Sequence, residues 1–434
     1  MTYSRKKPST ESTAIITIVV LLVSLAGAVA NPDGKIQVAA YSRSYARISG
    51  GHSSLAYVND PMMHVRPVPV IGGYSLGHGI SPDEIRRAAR IYFPRTYQQL
   101  LENDVTVFQE APLGFAGYIN FDPKFLLWCK DYVIEGGKAL DMYGGDASFG
   151  AGIGESYPSW ETTPVADVLP VEIIPGGIRG IKQRGGTWGA DVMVPKNIEF
   201  PQDFGLSRLP WDSARKPHYD EPLNAVEYRP GSTRVAVAVT PDDSEYPFVA
   251  YWEIGEGSSL AYTAIFASGG TGKILDWKWY PDFITYLVYH SAGVPMPENI
   301  YLPHVIREKL QLYLSEKEFA YNYADFISKL GGNTVQLERR IAEVDETIDE
   351  VEELYMAGSY EESRDVLLIS VDEMSTILQD AKDLEKSVMM WIYIIEWFAV
   401  VGTFLVAGLV LNYLMIRRTL YREVAVTRRR REDS

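Results

Sequence analysis

Cys129 is the one cysteine in the 434 residues, and it stands in the run Phe-Leu-Leu-Trp-Cys-Lys-Asp-Tyr-Val. A thiolate nucleophile needs a lowered pKa, a sharp strand-to-helix turn and a histidine in reach. Residues 125–133 instead read as the middle of an amphipathic helix, where a free cysteine behaves as a small buried hydrophobe. A single cysteine forms no intramolecular disulfide, so the fold must stand on its own core.

A serine route needs Ser, His and an acid to converge. Ser148 follows Gly144, Gly145 and Asp146 at the end of an apolar run. The carboxyl ends of strands are where open α/β sheets hold ligands. Gly144, Gly145, Asp146 and Ser148 are therefore the candidate ligand-binding residues. The histidines His52, His64, His78, His218, His290 and His304 are isolated. They form no H-x-x-x-H pair and no Cys/His cluster, so neither a metal site nor a cofactor is expected.

Two glycine-rich stretches fall short of phosphate-binding patterns. In Ser268-Gly269-Gly270-Thr271-Gly272-Lys273, Ala267 stands where a phosphate loop has its first glycine and Ile274 where it has Ser or Thr. Gly150-Ala151-Gly152-Ile153-Gly154 misses the dinucleotide fingerprint and reads as a mobile loop. Loop aromatics such as Trp160, Trp188, Trp211, Trp277, Trp279 and Tyr280 could bind a sugar or a protein, or fill the core under long loops.

The elements that must position these residues come in two textures. Residues 34–297 are rich in Gly, Pro, Tyr and Trp. Strands are expected at 36–41, 65–71, 104–108, 138–143, 233–240, 248–253 and 260–266, with the prolines of 65–71 demoting it to an edge. Helices are expected at 82–101, 122–135 and 282–291, opened by Ser81-Pro82 and Asp122-Pro123 and, for the second, closed by Gly136-Gly137. Gly255-Glu256-Gly257 suits a tight hairpin. Helix–strand–helix–strand order implies a parallel sheet with covering helices.

Residues 298–390 change period. A helix is expected at 305–330. Leu337, Ile341, Val344, Ile348, Val351 and Tyr355 step by 4 and 3, as do Leu367, Val371, Met374, Leu378 and Ala381. Both are apolar helix seams, and Gly358-Ser359 between them predicts an antiparallel hairpin, a coiled-coil-like stalk.

Formal net charge is −15, which excludes a sequence-independent nucleic-acid binder. Yet both ends are basic, and each borders an apolar run. Residues 14–30 follow Arg5-Lys6-Lys7 and read as a cleaved signal peptide or a retained anchor. Residues 397–416 are uncharged and long enough to cross a membrane. Trp391, Trp397 and Tyr413 mark its interfaces, and Arg417 and Arg418 follow at once, with Arg428 to Arg431 beyond. The positive-inside rule places that tail in the cytoplasm and residues 31 to about 390 outside. Glu396 is expected at headgroup level. A large disulfide-free external domain suggests a prokaryotic, archaeal-type surface protein.

Several stretches together resemble a known family. Asp104-Val105, Gly136-Gly137, Gly144-Gly145 with Ser148-Phe149, and Thr163-Pro164 with Leu169-Pro170-Val171 are similar, in order and spacing, to the putative glutamine amidotransferase family. The stretch 247–266 is similar to that family's closing hairpin. The resemblance covers roughly residues 65–297. It implies a class I glutamine amidotransferase-like, flavodoxin-type fold, while the placement of Cys129 removes the thiol chemistry.

The expected organisation is a leader or anchor (1–30), an α/β domain (31–297), a helical stalk (298–390), a transmembrane helix (391–416) and a basic tail (417–434). The expected function is a non-catalytic extracytoplasmic binding or scaffold module. Its partners would be the bilayer and either another protein or a second copy through the stalk. The alternative is a hydrolase or amidase at the Gly144–Gly154 edge. A membrane sensor or transporter subunit using Glu396 is a third possibility.

Overall fold

A strand buried along its whole length belongs inside a sheet covered on both faces. β1 (Ile36–Ser42) is such a strand, as are β3 (Val105–Gln109) and β4 (Ala139–Tyr143). The computed structural model describes residues 34–42, 60–70, 82–109, 111, 113, 121–144, 148–150, 158–174, 197–213, 223–239, 243–264 and 277–432. The chain divides into two compact units, Met1–Arg307 and Glu308–Ser434. Residues 14–30 and both glycine-rich stretches, 151–154 and 268–273, lie outside the described residues.

The first unit is built on an eight-stranded sheet. It adds β2 (Met63–Pro69), β6 (Asn197–Glu199), β8 (Thr233–Val239), β9 (Glu245–Ile254) and β10 (Gly257–Tyr262), in the order β2-β1-β3-β4-β10-β9-β8-β6. From β2 to β10 the strands run parallel, and β9, β8 and β6 are added antiparallel. The order 2-1-3-4 with β10 in fifth place is the flavodoxin-like arrangement. Two short strands, β5 (Val171–Ile173) and β7 (Val226–Tyr228), form a separate antiparallel pair. β2 carries Pro67 and Pro69 and takes the edge, where a missing N–H costs no ladder bond. β9 turns into β10 at Gly255, whose φ of 64° needs a glycine.

The single helix expected at 82–101 is two: α1 (Pro82–Tyr92) and α2 (Tyr97–Leu101). Pro94 has no N–H to continue the ladder and pushes Phe93 away from helical geometry. Thr96 then restarts the chain, its side chain accepting the Gln99 N–H at 3.2 Å. α3 (Pro123–Ile134) opens as expected, with Asp122 accepting the Phe125 N–H at 2.7 Å. It lays Phe125, Cys129, Tyr132 and Val133 on one face of the sheet, against Tyr41, Phe108 and Leu140. α4 (Tyr280–Ser291) is buried nearly all round and covers the opposite face, against Val105, Ala139, Leu260 and Tyr262.

One buried ionic network ties this second layer together. α5 (Tyr301–Lys329) begins in the first unit. Its Arg307 is 4% exposed and donates through Nε to Asp60 and through Nη1 to Asp282, both at 2.5 Å. The Tyr289 hydroxyl reaches Asp60 at 2.7 Å, and His304 Nδ1 meets Asp282 at 2.7 Å while its ring stacks on Trp279. Segments 247 residues apart are thereby joined.

In the second unit α6 (Val335–Met356) and α7 (Tyr360–Glu432) fold back on each other. Leu337, Ile341, Val344, Val351 and Tyr355 of α6 are buried, as are Leu367, Val371, Met374, Leu378 and Ala381 of α7. Ile348 is half-buried. The part of α5 after Arg307 completes a three-helix bundle. Its Lys317 pairs with Asp345 at 2.6 Å, the Tyr313 hydroxyl donates to the same carboxylate, and Glu316 accepts from Ser375 at 2.7 Å. α7 then runs on, and its apolar stretch is long enough to cross a membrane and exposed throughout.

Arg307→Ala leaves two aspartates buried without their cation. It is expected to cost about 3–5 kcal/mol, read as a lowered denaturation midpoint of the detergent-solubilised chain. Replacing Asp60, Asp282 and Arg307 together by Asn, Asn and Met is expected to cost far less.

Candidate functional site

Ligands of open α/β sheets settle beyond the carboxyl ends of the strands, where the order reverses. Here that edge is set by Ser42, Gln109, Tyr143 and Tyr262, the last residues of β1, β3, β4 and β10. Gly144 leaves β4 with its N–H on the Tyr262 carbonyl at 2.6 Å. A Cβ at Gly144 would stand 2.2 Å from the Ala264 carbonyl oxygen, so only glycine fits between the two strand ends.

The loop after β4 is fastened again at Ser148–Phe149. Asn224, itself buried, donates its side-chain amide to the Ser148 carbonyl at 3.2 Å and its backbone N–H to the Thr263 carbonyl at 2.9 Å. Phe149 is fully buried at a φ of 60°. The Phe149 carbonyl accepts from the Trp160 N–H at 2.8 Å, and the indole of Trp160 donates to the Ala111 carbonyl at 3.0 Å. The loops after β3, β4 and β10 are thus laced into one bed. A positive φ at a bulky residue costs of order 1–3 kcal/mol and persists only where the surroundings hold it.

Of the four candidate ligand residues, Gly144 and Ser148 lie on this bed, and Gly145 and Asp146 fall outside the described residues. Ser148 is 2% exposed, which is a poor position for a nucleophile. The described histidines are engaged elsewhere. His64 Nδ1 meets Gln37 Oε1 at 2.9 Å, His304 meets Asp282, and His290 stacks on Phe204 and meets Tyr251 edge-on. His52, His78 and His218 lie outside the described residues. No group of three or more His, Cys, Asp or Glu side chains is placed to hold a metal among the described residues.

Cys129 is fully buried in α3, and burial pushes its thiol well above its usual pKa. A nucleophile requires the reverse. The loop aromatics resolve toward packing: Trp160, Trp277, Trp279 and Tyr280 are buried. Sequence reading missed Asn224, whose tether to Ser148 spans 76 residues and leaves no local pattern.

Residues 93–289 match the model of a family described as "Putative glutamine amidotransferase". Over those residues the chain is similar to a glutamine amidotransferase domain. Two cytoplasmic proteins of Salmonella typhimurium are similar over 59% of this chain and 99% of their own lengths, at 19% and 18% identity and TM-scores of 0.36 and 0.39. Likeness at that level adds nothing to the assignment, which rests on the family match. No curated protein matches the chain.

The amidotransferase-like domain also buries a carboxyl group at the far side of its sheet. Asp141 of β4 is fully buried, bonded to the Ser291 hydroxyl at 2.7 Å and the Tyr143 hydroxyl at 3.2 Å. Desolvation raises its pKa to about 7 against those two bonds, which lower it. Nearby His290 is pushed down to about 4 by burial. An open groove of about 490 Å³ lies along Arg208 and residues 298–301. Arg208 spends its guanidinium there on the carbonyls of Pro297 and Glu298, which makes it a brace.

Along α7 the expected interface residues Trp391, Trp397, Tyr413, Arg417 and Arg418 are all exposed, as is Glu396.

The Asp141 shift has a sign. Its pKa is raised on folding, so the stability it contributes is full below about pH 4 and is lost as pH rises to about 7. His290 acts oppositely between about 6.5 and 4. Asp141→Asn cannot ionise. Relative to it, the wild-type melting temperature is expected to fall as pH rises from about 4 to about 7 and to level off above, measured on the solubilised full chain.

Proposed function

We propose that this chain is a membrane-anchored extracytoplasmic protein whose amidotransferase-like domain binds or scaffolds and does not hydrolyse amides. The observation that carries this is the placement of Cys129. It sits inside a core helix, shielded from water, with its thiol held in the neutral form. Glutaminase chemistry of the thiol type starts from a thiolate at an exposed turn. The bracing of Gly144 and of Ser148–Phe149 by backbone and Asn224 bonds supports the same reading, because it fixes backbone groups at the strand ends without presenting a nucleophile. The hydrolase reading at the Gly144–Gly154 edge gains nothing from a serine buried to 2%.

Anchoring is supported by the exposed apolar stretch of α7. Its sidedness is supported by Arg417 and Arg418 directly after the span and by Arg428 to Arg431 beyond. The protein partner of this module is proposed to meet it outside the cytoplasm, with the bilayer as the second partner.

The purified full chain is expected to release no ammonia from glutamine above the buffer rate, and Cys129→Ala is expected to change nothing. Turnover that the Cys129→Ala variant abolishes would sink the non-catalytic reading. For sidedness, a tag placed after Ser434 is expected to stay shielded from external protease on sealed cells, while residues 34–390 are cut. The reverse pattern would put the domain in the cytosol.

A further inference from the structure

The turn between α5 and α6, residues 330–334, closes against α7. A Cβ at Gly332 would stand 2.4 Å from Ile327 Cγ2 of α5 and 3.0 Å from Val388 Cγ2 of α7, so the turn reaches α7 this closely only with a glycine there. The Gly332 N–H donates to the Ile327 carbonyl at 2.9 Å and caps α5. Thr334 is buried and donates its hydroxyl to Glu338 at 2.6 Å, and the Asn333 side chain accepts the Val335 N–H at 3.1 Å. The turn therefore has a fixed place along α7.

That place is the end of the bundle next to the apolar stretch. Val388 is followed by Met389 to Ile395, seven residues without a charge. Positions three, four and seven apart share a helix face. Trp391, Ile392 and Ile395 thus continue the face of α7 that carries the turn, and Trp391 and Ile395 are 59% and 64% exposed.

We propose that this turn is a second membrane contact, lying on the lipid headgroups beside the entering helix, with Val335 turned into them. The contact rests on the anchored reading above. Val388 precedes Trp391 by three residues, about 4.5 Å, and the headgroup layer of one leaflet is about 5–8 Å deep. A tryptophan at the interface therefore brings the turn to the lipid surface. Leu330 to Leu337 carries no charge, so no ionised group loses its water there. Val335 opens α6 and is 68% exposed. Helical side chains lean toward the amino end, which in α6 is the end beside the apolar stretch. The bilayer is the occupant because α7 itself delivers the turn to it. A span alone leaves the bundle free to swivel about α7, and a second point of contact holds it.

Quenching by a headgroup nitroxide lipid tests this on the full chain in phosphatidylcholine vesicles. Cys129 is buried, so a polarity-sensitive thiol dye on Val335→Cys reports over a low background. Gln336→Cys and Ala357→Cys are the companions. All three positions are exposed, so none of the variants threatens the fold. Ala357 caps the far end of α6, about 33 Å away. The nitroxide is expected to quench the dye at 335 and at 336 about threefold or more beyond its effect at 357. Equal quenching at 335 and 357 would overturn the contact, as would none at 335 and 336. A dye unquenched in vesicles yet shielded from a water-soluble quencher in native membranes would give the turn to a protein and overturn the choice of lipid. A chain recovered free of the vesicles overturns the anchored reading and the contact together, whereas a vesicle-bound chain unquenched at 335 overturns the contact alone.

Discussion

A guanidinium held between two carboxylates in a dry interior is the constraint on which the first unit depends. Arg307 is nearly withdrawn from solvent, and removing a cation from water costs several kcal/mol. Asp60 and Asp282 offset that only if both reach it at hydrogen-bond distance, which they do. Asp60 lies just before the edge strand β2, and Asp282 in the first turn of α4. The start of β2, the helix covering one sheet face and the first turns of α5 must therefore be in place together. Tyr289 and His304 take the remaining carboxylate oxygens and lock the geometry. The interaction adds less to net stability than to uniqueness, because few other arrangements satisfy three buried charges.

The two edges of the sheet divide their labour. Polar side chains beneath the helix-covered face, in Asp60 before β2, Asp141 in mid-β4, Ser291 and their partners, hold elements together. The carboxyl-terminal side is laced by backbone carbonyls and amides with Asn224 and Trp160 as stitches. The one thiol lies away from that side, in the core. The buried cysteine is then a packing residue in α3, touching the same cluster as Tyr41 and Phe125.

Much of this was legible because it is local. The 4 and 3 steps of α6 and α7 gave a packed hairpin, since a helix has one short period and needs one apolar stripe. Asp122-Pro123 and Gly136-Gly137 bounded α3 because caps and stops act within a turn. The break at Pro94 is not evident from periodicity, because the apolar period of residues 82–101 continues across the kink. What remained hidden was long-range. Nothing near Arg307 announces Asp60, and nothing near Ser148 announces Asn224.

α7 is a single helix of 73 residues with no proline, and kinks arise chiefly at proline or at similar interruptions. At 1.5 Å per residue it is about 110 Å of shaft without a joint. Any lean or twist of the bundle is therefore carried along the same helix into its apolar stretch.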